Sequence, residues 1–175
     1  MRFVLSLLVL SSSWLVTGGV ALAEETLFAE SGAVRIDEVV DLAVGLETDA
    51  RPELYSGFVE ISFDAEVIEI VDVRLADDVA GAWSAAVWNV ADGNRLLVAM
   101  AGATAVSNPS QLFVFSVKGL APGQAQLDVT RAMLDDTNVP VTRDGVVQVL
   151  ERVSAGVESW GGVKARVGGE QLPLR

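Results

Sequence analysis

The sequence contains neither cysteine nor histidine. The lack of cysteine excludes disulfides and thiolate metal sites, and the lack of histidine excludes ordinary zinc sites and Ser-His-Asp or Cys-His catalysis. Two acid pairs, Asp77-Asp78 and Asp135-Asp136, remain as candidates for carboxylate-pair hydrolysis. Adjacent side chains on an extended segment point to opposite sides, however, which is poor geometry for flanking one bond. The sequence therefore predicts a protein that is not an enzyme.

Candidate metal ligands are equally sparse. Asp135, Asp136 and Asn138 carry the hard oxygen atoms that calcium prefers, but their spacing matches no EF-hand loop. No Gly-rich phosphate loop occurs in the chain either. We therefore predict neither a metal site nor a cofactor.

Basic residues are also few: 12 Lys and Arg stand against 24 Asp and Glu, giving a formal net charge of −12. Nucleic-acid binding needs clustered Lys and Arg to meet the phosphates, and an anionic membrane surface attracts basic segments. The charge balance argues against both partners and is typical of an acidic, solvated surface.

The N-terminus has the parts of a secretory signal peptide. Arg2 gives a positive start, residues 3–16 are largely apolar, and Ala21-Leu22-Ala23 has the A-x-A form that signal peptidase cuts. The apolar run is shorter than the ~20 residues that a spanning helix needs. We predict a signal peptide at residues 1–23, a secreted extracellular chain from Glu24, and no membrane span after cleavage. Retention on the cell surface is left open.

The mature sequence consists of short apolar or alternating segments separated by turn signals. In residues 58–63, Val59, Ile61 and Phe63 share one face, which predicts that they lie in the core, and Asp92-Gly93-Asn94 is a strong hairpin signal. About nine such strands are typical of an all-β sandwich or barrel, and one-sided alternation favours a sandwich. The predicted strands are residues 33–36, 39–46, 58–63, 67–73, 82–90, 96–101, 112–118, 125–129 and 146–150.

This pattern ends near Ser154, where paired glycines interrupt the sequence and leave a short segment with apolar residues around Trp160. We predict one monomeric β-sandwich domain at residues 24–152 and a C-terminal tail at residues 153–175. A short docking or sorting peptide around Trp160 is the alternative interpretation of the tail.

Four segments of the mature chain follow a characteristic order. Residues 54–73 contain a glycine before an alternating strand that ends in Phe63-Asp64, then a short turn and an apolar strand around Ile68-Glu69-Ile70. An apolar strand at residues 95–102, a strand and turn at residues 112–123, and a strand at residues 144–149 that begins Asp144-Gly145 come next. In order and spacing these segments, which span most of residues 27–150, resemble the cohesin domain family.

The resemblance implies a jelly-roll β-sandwich of about nine mostly antiparallel strands. It also implies a non-catalytic module that binds a dockerin through one sheet face. Dockerins are small calcium-loaded modules on polysaccharide-degrading enzymes. Because the cohesin fold is related to several carbohydrate-binding modules, a module that binds polysaccharide is one alternative, and a surface or structural sandwich without a dockerin partner is another.

The alternation of side chains along each strand predicts which residues lie on the partner face. If Val87 points inward, Trp88 points outward, with Met100 beside it on the neighbouring strand. A flat apolar centre with one acid suits a helix that carries apolar and basic residues. The predicted partner-binding residues are Ser56, Phe58, Glu60, Ser62, Trp88 and Met100.

The spacing of two tryptophans bears on the carbohydrate alternative. Sugar-binding modules of this kind usually present coplanar rings, whereas Trp83 and Trp88 are five residues apart, an offset that puts them on opposite faces of a regular strand. This disfavours a ring platform unless a bulge intervenes.

Overall fold

The computed structural model describes residues 25–48 and 53–152. The predicted signal peptide and the predicted C-terminal tail, including Trp160, lie outside the described residues. Within these two ranges, no helix is long and apolar enough to cross a membrane.

Two sheets form the domain, and most neighbouring strands run antiparallel, with two parallel pairs among the described residues. The smaller sheet has the strand order β11 (Val141–Arg143), β1 (Thr26–Ala29), β3 (Val39–Glu47), β8 (Gln111–Gly119) and β5 (Ile68–Leu75). The larger sheet has the order β2 (Gly32–Arg35), β12 (Gly145–Leu150), β9 (Gly123–Leu134), β4 (Glu53–Ser62), β7 (Arg95–Ser107) and β6 (Trp83–Ala91), with β10 (Thr137–Asn138) paired to β9. The short helix α1 (Asp77–Ala80) connects β5 to β6.

The core lies between the inner faces of the two sheets. Ile61 and Phe63 belong to it, with 1% and 7% of their surfaces exposed, which confirms the predicted face of this segment. Phe113 and Phe115 from β8 are fully buried, with ring centroids 6.2 Å apart. Burying such side chains contributes about 1.5–3 kcal/mol each, so this shared core is what holds the sheets together.

All nine predicted strands are present, and the predicted all-β sandwich is confirmed. The structure adds three further strands, β1, β10 and β11, which have only two to four residues each. It also extends β9 to Leu134, beyond the predicted end at residue 129. Segments this short, or this rich in polar residues, show too few repeats of the alternating pattern to stand out in the sequence.

Two turns have the positive φ angles of tight hairpins. Asp92 and Gly93 have φ values of 52° and 78°, which confirms the hairpin predicted between β6 and β7. Asp135 and Asp136 have φ values of 45° and 63° and connect β9 to β10 in the same way. The second acid pair is therefore a turn, because Asp tolerates this backbone region better than most residues.

Candidate functional site

The outer face of four strands of the larger sheet, in the order β9, β4, β7 and β6, carries most of the predicted partner residues. On β4, Ser56, Phe58, Glu60 and Ser62 are half-buried and alternate with fully buried neighbours such as Val59. The structure thus places these four side chains outward, as predicted. Their role in binding a partner stays a prediction.

Trp88 and Met100 do not point outward, and the predicted orientation of both is wrong. Val87 is 70% exposed, whereas Trp88 is half-buried against the core. A register shift between Trp83 and Ala85 inserts an extra residue into β6, so that Trp83 and Trp88 share the inner face. The predicted opposite placement of the two tryptophans is therefore also wrong.

Met100 is 3% exposed and lies in the core on the same face as Val98. Its strand partner is Gly57, where an added Cβ would lie 3.3 Å from the Met100 Cε atom. The error has a simple origin: residues 96–101 are apolar throughout, so alternation cannot reveal which side faces the solvent.

The residues that do face outward form a row across all four strands. Ala99 lies opposite both Val87 and Phe58, and Phe58 lies opposite Met133 on its other side. Side chains at directly opposed positions on one sheet face are about 4.5–5.5 Å apart, so the four residues make a continuous strip. We call the strip Val87, Ala99, Phe58 and Met133 the apolar row.

Charged groups border the apolar row on one side. Arg131 extends over the ring of Phe58, with its Cζ atom 5.5 Å from the ring centroid, and its Nη2 atom donates to the Met133 Sδ atom at 3.1 Å. Beside it, the Arg95 Nη1 atom donates to the Glu60 Oε1 atom at 3.1 Å. Arg95 also pairs with Asp92, and these two carboxylates, Asp92 first, raise the pKa of Arg95 above its usual value.

An apolar strip bordered by polar groups is the composition expected of a protein-binding surface. Sequence reasoning missed Val87, Ala99, Arg131 and Met133. The last two lie in the part of β9 that the strand prediction left out. The pairing register of the strands identifies all four, because each lies in the cross-strand row of Phe58 or of Glu60. That register depends on which strands become neighbours, which the sequence does not reveal.

The acids that were candidate catalytic or metal-binding groups have structural partners instead. The Asp135 carboxylate accepts hydrogen bonds from the backbone N–H groups of Tyr55 and Ser56 at 3.0 and 2.8 Å. The Asp78 Oδ2 atom accepts from the Ser110 hydroxyl and from the N–H groups of Ser110 and Gln111 at 2.5, 2.9 and 3.0 Å. The Ser110 hydroxyl is the main cause of a lowered pKa at Asp78. In residues 25–48 and 53–152, no group of three potential metal ligands occurs.

No sugar-stacking platform is formed by Trp83, Trp88 and Phe58 in the described part of the chain. Trp83 is 2% exposed, and its Nε1 atom donates to the Leu54 carbonyl at 3.3 Å. Trp88 faces the core, and the ring of Phe58 lies beneath Arg131. A depression of about 320 Å³ at one end of the sandwich is lined mainly by aliphatic and Phe63 side chains, with Glu69 on its rim.

No protein-family model matches this sequence, and no curated protein matches it either. Solved structures do match. A non-cellulosomal cohesin from the archaeon Archaeoglobus fulgidus is 19% identical, with a TM-score of 0.61, over 73% of this chain and 92% of that chain. The sixth cohesin of scaffoldin B from Acetivibrio cellulolyticus, solved in complex with a dockerin, is 12% identical, with a TM-score of 0.61, over 73% of this chain and 99% of that chain.

A cohesin module from a family 33 glycoside hydrolase of Clostridium perfringens is 14% identical, with a TM-score of 0.61, over 74% of this chain and 97% of that chain. At these identities the likeness is one of fold. The domain is a cohesin-like β-sandwich, and the resemblance first indicated by four sequence segments is confirmed at that level.

Proposed function

We propose that this chain is a secreted, non-catalytic module that docks a dockerin-type protein module in extracellular polysaccharide degradation. The docking surface is the outer face of β9, β4, β7 and β6. The observation that carries the proposal is the apolar row, which crosses four strands at the solvent-facing side of a cohesin-like sandwich. Similar sandwiches have been solved in complex with dockerins, which supports the choice of partner.

The chemistry of the face fits a protein partner better than a polysaccharide. Sugars stack on exposed flat rings, whereas the one ring in the apolar row, Phe58, is half-buried and has the Arg131 guanidinium over it. Val87, Ala99 and Met133 offer small or flexible apolar contacts of the kind that pack against a helix. The proposal therefore requires no ion and no reactive group on this chain.

The test uses isothermal titration calorimetry of the mature chain, residues 24–175, with a panel of dockerin modules from the same genome, each with and without calcium. The informative variant is Val87→Asp, because Val87 belongs to the apolar row and is 70% exposed. The matched control is Val39→Asp, because Val39 is 55% exposed on β3 of the other sheet. Neither change removes a buried side chain, so both variants are expected to fold.

We expect at least one dockerin module to bind, Val87→Asp to weaken its binding at least about tenfold, and Val39→Asp to leave it unchanged. Equal losses in both variants would contradict the assignment of the face. If no dockerin module binds and the chain is retained on insoluble polysaccharide, the carbohydrate alternative replaces the proposal.

A further inference from the structure

One cation on the outer face differs from every other cation in the described part of the chain. Residues 25–48 and 53–152 contain seven Lys and Arg side chains, and six of them have a carboxylate oxygen within 3.9 Å. The seventh is Arg131, whose described contacts are the Phe58 ring and the Met133 Sδ atom. Arg131 thus has no acidic partner among the described residues, although the protein has a net charge of −12.

The nearest acid in the register is already occupied. Glu60 lies directly opposite Arg131 across β4 and β9, but its carboxylate accepts from Arg95 at 3.1 Å. Asp128 lies one row further along β9, opposite Ser62, where it is exposed at the margin of the face. Arg131 therefore offers its guanidinium to whatever covers the apolar row.

Arg131 is also held in place. The cation–π contact with Phe58 and the hydrogen bond to the Met133 Sδ atom hold the guanidinium over the apolar row without using all five of its N–H donors. A partner that packs on Phe58 and Met133 must also take water away from this cation. A covered guanidinium that finds no acceptor is strongly unfavourable, whereas one that meets a carboxylate gains a short, charge-assisted hydrogen bond.

We infer that the docking helix of the partner carries an Asp or Glu side chain that meets Arg131, beside apolar residues that pack on the apolar row. This inference rests on the proposed function and reverses the charge that the sequence alone suggested for the partner. The sequence alone predicted basic residues on the partner because Glu60 is the one acid of the predicted face, but Glu60 pairs with Arg95 within the chain. Arg131 selects against partners that present an apolar or basic residue at this position.

The experiment measures by calorimetry the affinity of the mature chain for the dockerin modules of the panel. The variants are Arg131→Gln, which removes the charge, and Arg131→Glu, which reverses it. The matched control is Arg143→Gln, because Arg143 also stacks on a ring, with its Cζ atom 4.8 Å from the Phe28 centroid, but lies on the other sheet and pairs with Glu47 at 2.8 Å. Thermal unfolding of each variant verifies that it folds.

We expect Arg131→Gln to weaken binding about tenfold, Arg131→Glu about a hundredfold, and Arg143→Gln not at all. Changing the contacting acid of the bound dockerin to Lys should restore binding to Arg131→Glu and weaken binding to the unmodified chain. If the unmodified chain binds a dockerin module but the Arg131 variants bind equally well or better, the inference is wrong and the proposed function stands. If the unmodified chain binds no dockerin module, both are wrong.

Discussion

Two methionines on opposite faces of the larger sheet allow the assignment of the faces to be tested by one kind of substitution. Met100 on β7 is 3% exposed and belongs to the core, whereas Met133 on β9 is half-buried on the outer face. Changing each to Ala removes the same three heavy atoms. The two losses of stability therefore report directly on which side of the sheet each residue occupies.

The expected loss for Met100→Ala is about 3 kcal/mol. Removing the side chain beyond Cβ exchanges three buried groups for a cavity, and each buried methylene-sized group contributes about 0.8 kcal/mol before the cavity term is added. For Met133→Ala the expected loss is below about 1 kcal/mol, because the side chain lies half-buried on the outer face and contacts the exposed Arg131.

Urea unfolding followed by tryptophan fluorescence gives both free energies, and an unchanged slope with urea concentration shows that the unfolded states are comparable. Trp83 and Trp88 both face the core and report on it. Equal losses for the two variants, or a larger loss for Met133→Ala, would refute the reasoning, because the register that defines the apolar row also defines these two faces.

Three further predictions follow from the contacts described above. Phe63→Ala should lower the free energy of unfolding by about 3–5 kcal/mol and Phe58→Ala by about 1 kcal/mol, measured by urea unfolding, because only Phe63 is a core residue; similar losses would contradict this. Asp135→Gly should lower the melting temperature, because it removes the acceptor of the Tyr55 and Ser56 N–H groups, whereas Asp136→Gly should change it little, because glycine tolerates the positive φ angles at both positions. Because the pKa of Asp78 is lowered in the folded state, its contribution to stability is present above the unfolded-state pKa of about 3.9 and is lost as the pH falls through the lower folded-state pKa. Asp78→Asn should therefore make the free energy of unfolding in urea less dependent on pH below about 4. An unchanged pH dependence would contradict the assignment.

Most of the fold could be predicted because the sequence contains clear turn signals and a regular alternation of apolar and polar residues. Asp92-Gly93 marks a hairpin that only positive φ angles can make, and the alternation around Ile61 assigned the faces of β4 correctly. These features are local. They need no knowledge of which strands become neighbours.

The faces of β6 and β7 could not be predicted, for two physical reasons. The irregularity between Trp83 and Ala85 changes which residues of β6 face inward, and nothing in the sequence marks it. The strand around Met100 is apolar on both sides, because small alanines such as Ala99 occupy the solvent-facing positions. That Arg131 has no carboxylate partner among the described residues depends on the pairing of Glu60 with Arg95, residues 35 positions apart, and thus on the tertiary structure.

The most direct test of the proposed function is the footprint of a bound dockerin module on this chain, measured as changes in backbone amide chemical shifts by NMR. We expect the largest changes along β6, β7, β4 and β9, centred on Ala99, Phe58 and Arg131. Changes confined to the outer face of the smaller sheet around Val39, or to the depression lined by Ile70, with the apolar row unaffected, would contradict it.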